Sequence, residues 1–404
     1  MRKGWQTKTL GEVCQIRGGG TPSKGIPKYW RGDIPWVSPK DMKVDVLSDS
    51  IDHISQEAID GSATSLIPRG SVLIVVRSGI LARTVPIAIT GRDLTINQDL
   101  KALCPNGLVD ARFLYHLLDS KMDTLLSMVS RGATVHRLMT EELRSVDFLL
   151  PPIPEQRRIV GILDEAFEGI TTATANAEKN LQNARALFES HRQYVFTVRG
   201  EGWVEAAFSE LCDIKHGYAF EGEFFSNEGE YVLLTPGNFH EKGGYRDRGE
   251  KQKYYTGEIP RDYVLRKGDL LVAMTEQAAG LLGSPLLVPE SGKFLHNQRL
   301  GLVSRKPVAA WTNEFFFHVF NTYAVRKAIH GSASGVKVRH TSPTKIGEVV
   351  VAFPTSQTEQ RRIVSTLTGL EAETQRLGSI YRQKLAALEA LKKSLLQQAF
   401  RGEL

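Results

Sequence analysis

Apolar residues fall into two patterns that alternate along this chain of 404 residues. One pattern is short and dense. "SVLIVV" at 71–76 and "DLLVAM" at 269–274 are continuous apolar runs of strand length, each preceded by a glycine turn, and they predict buried strands. "VDFLLPPIP" at 146–154 and "VVVAFP" at 349–354 predict strands ended by proline. "ARFLYHLLDSKMDTLL" at 111–126 has helical periodicity. The other pattern is long and sparse. After each proline-ended strand, apolar residues recur every three or four positions with no internal proline. The later stretch places Ile363, Leu367, Leu370, Thr374, Leu377, Tyr381, Lys384, Leu388, Leu391, Leu395 and Gln398 on one seam. The earlier one places Ile159, Leu163, Ala166, Ile170, Ala173, Ala177, Asn180, Ala184, Leu187, His191, Tyr194 and Val198, a seam whose alanines let a partner approach closely. Each predicts a helix of roughly 40 residues, about 60 Å long. Such a helix alone would expose its stripe to water, so the two are expected to pair as an antiparallel coiled coil.

These patterns occur twice because the sequence does. "EQRRIV" stands at Glu155–Val160 and, letter for letter, at Glu359–Val364. Weaker echoes flank it. "EVCQIRGG" at 12–19 matches "ELCDIKHG" at 210–217, "INQDLKAL" at 96–103 matches "HNQRLGLV" at 296–303, and "RFLYHLLDS" at 112–120 matches "EFFFHVFNT" at 314–322. A repeat this long means two large modules, not a solenoid. The predicted divisions are a globular domain at 1–154, a helix at 155–200, a second globular domain at 201–354 and a second helix at 355–404. The globular parts read as α/β (α+β), in two copies about a pseudo-twofold axis. "RGE" precedes Gly202-Trp203 and recurs at 401–403, so the second copy is expected to lie beside Gly4-Trp5.

Composition changes this picture little. The net charge is +6 and the pI about 9.1, which favours a polyanionic partner. No apolar run approaches membrane-spanning length, and the N-terminus has no signal-peptide pattern. Cys14, Cys104 and Cys212 are odd in number and lack metal-ligand spacing, so buried thiols in a reducing cytoplasm are expected.

The repeated "PPIPEQRRIV" and "FPTSQTEQRRIV", the opening "LGEVCQIRGGGTPSKGIPKYWRGDIPWVSPKDM" and the ending "LKKSLLQQAFRGEL" resemble the specificity subunits of Type I restriction-modification systems over the whole chain. The resemblance implies two target-recognition domains, each reading one half of a bipartite, asymmetric site in double-stranded DNA. It implies helices that fix the gap and dock methyltransferase subunits, two of them, with a restriction and translocation subunit in some systems. S-adenosylmethionine, ATP and Mg²⁺ would belong to those partners and no cofactor to this chain, which would be non-catalytic and cytoplasmic. The alternatives are a coiled-coil adaptor that reads no DNA and a self-contained nuclease.

A phosphate-binding loop, a nucleotide fingerprint and a paired metal motif are all missing from the sequence. Asp33, Asp41 and Lys43 form a nuclease-like D-x7-D-x-K pattern, but "VSPKDM" at 37–42 aligns with "LTPGNF" at 234–239, where Asp41 becomes Asn238 and the lysine is lost. A catalytic pair needed in both halves would persist in both.

DNA contacts need cations for phosphates and Arg, Lys, Asn or Gln for base edges. Four loops carry such residues at matched places. The first offers Arg17, Lys24 and Lys28 against Lys215 and His216. The second offers Lys40 and Asp41 against Asn238 and His240. The third offers Arg77 and Arg83 against Gln277. The fourth, "SRGATVHR" at 130–137 and "SASGVKVRH" at 332–340, offers Arg131, Thr134, His136 and Arg137 against Ser334, Lys337 and Arg339. Asn97-Gln98 and Asn297-Gln298 are polar pairs kept in both halves, which favours a structural or shared backbone role over base reading. His116 and His318 read as packed core histidines. Arg157-Arg158 and Arg361-Arg362 could face a partner or the DNA between half-sites.

Overall fold

The computed structural model describes residues 4–132, 134–277, 280–307 and 309–404. The chain forms two compact units. One runs to Glu178 and takes in Arg382–Leu404; the other is Lys179–Tyr381. Each contains a mixed α/β head and parts of two long helices, Ile153–Val198 and Gln357–Arg401. The unit boundaries therefore fall inside the helices.

The dense apolar runs are central strands. In the first head Val72–Val75 is buried throughout and lies in a sheet ordered Cys14–Gly18, Leu100–Pro105, Val72–Val75, Ile87–Thr90, Val46–Leu47. In the second, Leu270–Ala273 is equally buried, in the order Cys212–His216, Leu300–Arg305, Leu270–Ala273, Pro285–Leu287. A second sheet in each head contains one parallel pairing at the matched place, Ile34–Val37 with Leu94–Ile96 and Tyr231–Leu234 with Phe294–His296. Each head is closed by pairing its first strand with its last: Gln6–Thr9 with Asp147–Leu150, and Trp203–Ala207 with Val350–Pro354. All three cysteines are buried and free, and burial pushes the matched thiols Cys14 and Cys212 up to about 12.

The letter-for-letter repeat has a structural cause. Gln156 and Gln360 are fully buried where the long helix meets the head. Gln156 Oε1 accepts the Asp110 N–H (2.7 Å), while its Nε2 donates to the Leu108 and Pro151 carbonyls (3.0 and 2.7 Å). Gln360 Oε1 accepts the Thr312 N–H (2.9 Å), and its Nε2 donates to Ala310 and Pro354 (2.8 and 3.0 Å). One amide thus satisfies the N-terminus of a head helix and the end of the last strand, groups that would be costly to bury unpaired. Beside it, Arg158 forks onto Glu155 (2.7 and 2.8 Å) and Arg362 onto Glu359 (both 2.7 Å), while Ile159 and Ile363 enter the cores.

In the first unit Ile159 and Leu163 share a core with Leu396 and Ala399; in the second, Ile363 and Leu367 share one with Phe188, Val195 and Phe196. In each unit the start of one helix meets the end of the other, so the pairing is antiparallel. The predicted seam holds to Tyr381 and keeps Leu388 and Leu395, but around them it slips by one residue: Leu385 and Ala399 take the inward places expected of Lys384 and Gln398, which are exposed, and Leu391 is 47% exposed. The first helix slips likewise: Leu181 and Phe188 replace Asn180 and Leu187, and Tyr194 and Val198 face solvent. A strict seven-residue count drifts about 20° per heptad on a straight helix, which produces this slip. At the chain's end Leu404 packs on the core that holds Trp5, and its carbonyl accepts from Arg158 Nη2 (2.7 Å).

Candidate nucleic-acid interface

In both heads the third and fourth loops form one two-stranded ribbon. Arg77–Ser78 pairs with His136–Arg137, and Thr275–Glu276 with Arg339–His340. The registers make His136 equivalent to Arg339, and Arg137 to His340. Successive strand residues point to opposite faces. The two heads therefore carry the same pair of residue types on exchanged faces of the same ribbon. Arg131, Thr134, Ser334 and Lys337 lie exposed in the connecting turns; Ala133, and Ala278 and Ala279 of the third loop, lie outside the described residues.

The ribbons are anchored differently. In the first head Arg77 pairs with Asp99, which is itself held by Asn97: Asn97 Nδ2 donates to Asp99 Oδ2 (2.9 Å), and the Asp99 N–H donates to Asn97 Oδ1 (3.0 Å). In the second head Glu276 is 3% exposed. Its Oε2 accepts the N–H groups of Gly280, Leu281 and Leu282 (3.0, 3.0 and 2.9 Å), and its Oε1 faces His330 and Arg339 (3.5 and 3.6 Å). Arg326 donates to the Gly280 carbonyl from the other side. A buried carboxylate thus ties both halves of the ribbon to one point.

A cavity of about 660 Å³ opens beside this ribbon. Gly237 of the second loop, Gln277 of the third and His340 of the fourth line it, together with Arg248, Lys253 and Arg299. The second head therefore brings three of the four sequence-read loops together. Its three further cations are not among the residues singled out from sequence. A signal for one exists: "NQDL" against "NQRL" replaces Asp99 by Arg299, a charge reversal beside a kept Asn-Gln pair.

Several candidates are placed otherwise. Asn238 is 1% exposed and spends its amide internally, Oδ1 accepting from the Thr235 N–H and hydroxyl (both 3.0 Å) and Nδ2 donating to Gln252 (3.0 Å). Asp41 does the same for Ser38, whose N–H and hydroxyl it accepts (2.9 and 3.0 Å), and its other oxygen takes the Ile51 N–H (3.1 Å). The matched pair Asp41 and Asn238 holds a turn and does not present a reading tip. Asn97 and Asn297 are buried, and Asn297 Oδ1 accepts the Arg299 N–H (3.0 Å), so they shape their turns. Gln98 and Gln298 remain exposed. Lys28 pairs with Glu57 and Lys40 with Asp52 (both 2.7 Å). Arg17 lies on its strand, bonded to Gln15, and the Lys215 ammonium sits 4.4 Å from the Tyr263 ring centre. Lys24, Arg83 and His216 are exposed, and His240 lines a separate cavity with Glu189 and Glu241.

The glycine kept at Gly19 and Gly217 is explained by contact. A Cβ there would stand 2.1 Å from the Ile96 carbonyl oxygen in one head and 2.2 Å from that of Asn297 in the other. The first loop can pass the Asn-Gln turn only without a side chain.

His116 and His318 are core residues, as their helix faces predict. His116 Nε2 meets Asp164 at 2.8 Å; burial lowers its pKa and Asp164 opposes the shift. Burial drives His318 down to about 4, and nearby Arg192 adds to the shift. His296 is likewise lowered to about 4 by burial, its Nε2 donating to the Leu300 carbonyl (3.0 Å).

Among the described residues no helix is long and apolar enough to cross a membrane, and no group of three or more His, Cys, Asp or Glu is placed to hold a metal ion.

The chain is a duplicated mixed α/β head, each copy with a ribbon and turns of its own. The chain belongs to the family described as the Type I restriction modification DNA specificity domain, which matches residues 2–182 and again 200–387. It is 38% identical over 193 residues to the EcoR124I/EcoR124II specificity subunit of Escherichia coli, covering 47% of this chain and 48% of that one. The MjaIX specificity subunit of Methanocaldococcus jannaschii is 32% identical over 165 residues, 40% of this chain and 37% of that one. The chain thus spans about half the length of these curated relatives, or less. The fold is shared with the HsdS subunit of Thermoanaerobacter tengcongensis, with TM-score 0.64 and 18% identity over all of this chain and 98% of that one.

Proposed function

We propose that this chain is the DNA specificity subunit of a Type I restriction-modification complex. Each head reads one half of a bipartite, asymmetric target in double-stranded DNA. The long helices fix the gap between halves and dock adenine-methyltransferase subunits, two per chain, and a restriction subunit joins where the system cleaves. S-adenosylmethionine, ATP and Mg²⁺ belong to those partners, and this chain performs no chemistry in a cytoplasmic complex.

One observation carries this reading. The scaffold residues of the two heads coincide, while the ribbon and turn residues at the same places differ. A symmetric adaptor has no need of such divergence; two readers of different base sequences do. The basic turns supply phosphate contacts, which position the protein, and the differing side chains supply base selection.

The test is co-expression with the cognate methyltransferase subunit, followed by single-molecule sequencing of adenine methylation on plasmid DNA. Methylation at one bipartite motif with a fixed gap is the expected result. A stable co-purified complex that leaves DNA unmethylated would favour the adaptor.

A further inference from the structure

The cavity beside the second ribbon is lined by an arginine whose guanidinium packs against a turn and keeps its donors free. Arg248 is half-buried. Its guanidinium lies over Gly237: a Cβ built on that glycine would stand 3.1 Å from Cζ, 3.1 Å from Nη1 and 3.3 Å from Nε. Gly237 has no left-handed φ, so what the glycine provides here is room. The matched residue in the first head is Lys40, which pairs with Asp52. The second head has lost a side chain at this turn, and a guanidinium from elsewhere occupies its place.

The segment carrying Arg248 is tied to the same turn. The Arg246 N–H donates to the Asn238 carbonyl (2.7 Å), and Asn238 Nδ2 donates to the buried Gln252, whose Oε1 also faces the Arg248 N–H (3.4 Å). Asn238 therefore does not read DNA but fixes the segment that carries Arg248. Among the described residues the Arg248 guanidinium has no hydrogen-bond or ion-pair partner, so its donors face the cavity unspent.

We propose, building on the DNA-reading function above, that Arg248 reads a guanine in the second half-site, and that the exposed Lys253 and Arg299 neutralise flanking phosphates. A planar guanidinium donates in parallel to guanine O6 and N7, a match no other base offers in the major groove. A phosphate contact requires charge but not a fixed plane, and Lys253 and Arg299 meet that lesser requirement.

The experiment is selection from a randomised duplex library by the full-length chain, with affinities measured across a salt series. The wild type selects a bipartite motif with an invariant G·C pair in one half. Arg248→Ala weakens binding to that motif roughly 5- to 150-fold and relaxes selection at that pair alone. Gly237→Ala pushes the guanidinium by a few tenths of an ångström and loosens selection at the same pair less than Arg248→Ala does, while the salt slope stays unchanged because no charge is lost. Lys253→Ala and Arg299→Ala weaken all sequences alike and lower the slope by about 0.9 each. Retention of the other half of the motif reports a folded protein. Uniform weakening in Arg248→Ala, or selection unaltered in both Arg248→Ala and Gly237→Ala, would overturn the guanine assignment and leave DNA reading intact. Failure of the wild type to select any bipartite motif would overturn DNA reading itself, and the guanine assignment with it.

Discussion

The two heads solve one folding problem with the same residues and present different chemistry at the same edge. Gln156 and Gln360, Ile159 and Ile363, Asn97 and Asn297, Gly19 and Gly217 occupy matched places with matched contacts. At the ribbon the match ends. Arg77 and Asp99 pair in the first head, whereas Thr275 and Arg299 stand in their places in the second. Ser78 gives way to the buried Glu276. Positions that satisfy backbone groups buried in both heads keep a side chain able to bond them, because an orphaned group costs about 1–3 kcal/mol. Positions facing solvent or ligand carry no such cost and can follow the ligand.

The largest effect should come from breaking what the heads share. Gln360→Ala orphans the Thr312 N–H and the Ala310 and Pro354 carbonyls, and should destabilise the second unit by about 3–5 kcal/mol. Gln156→Ala should do the same to the first. Urea denaturation of each variant should lower a different transition.

Acid should then separate the heads. His296 and His318 have folded pKa values of about 4, below the unfolded value of about 6.5. Between those values the unfolded chain binds more protons, so stability falls as pH falls from about 6.5 to 4, by roughly 1 kcal/mol per pH unit for each histidine. The first head has His116, whose shift Asp164 opposes. Denaturation at pH 7 and pH 5 should show the second unit losing more.

A smaller effect should follow from the anchors. Glu276→Ala frees three N–H groups and the ribbon's Arg339, and should weaken binding to the second half-site by about tenfold. The matched Ser78→Ala should leave the first half-site nearly unchanged. The smallest effect belongs to Lys28→Ala. Its ion pair with Glu57 is exposed, so target affinity should not change measurably.

The duplicated architecture, the strands at 72–75 and 270–273, the paired helices and the core histidines were legible because period and repetition report burial directly. The role of Gln156 and Gln360 was not, since their partners lie up to 50 residues away in sequence. Asn238 read as a loop tip because an alignment displays polarity but not exposure. Arg248 was hidden for another reason. It lies among residues of mixed charge, and only the missing side chain at Gly237 marks where it lands. The slipped helix seams reflect a count by sevens applied to a backbone that turns every 3.6 residues.

The central claim is that one scaffold holds two independent readers. The direct measurement is the methylation motif produced, with the cognate methyltransferase subunit, by two double variants: Arg131→Ala with Arg137→Ala, and Lys337→Ala with Arg339→Ala. The first pair should alter one half of the motif, the second pair the other half, and neither the gap. Changes spread over both halves by either pair, or a motif indifferent to both, would contradict the account.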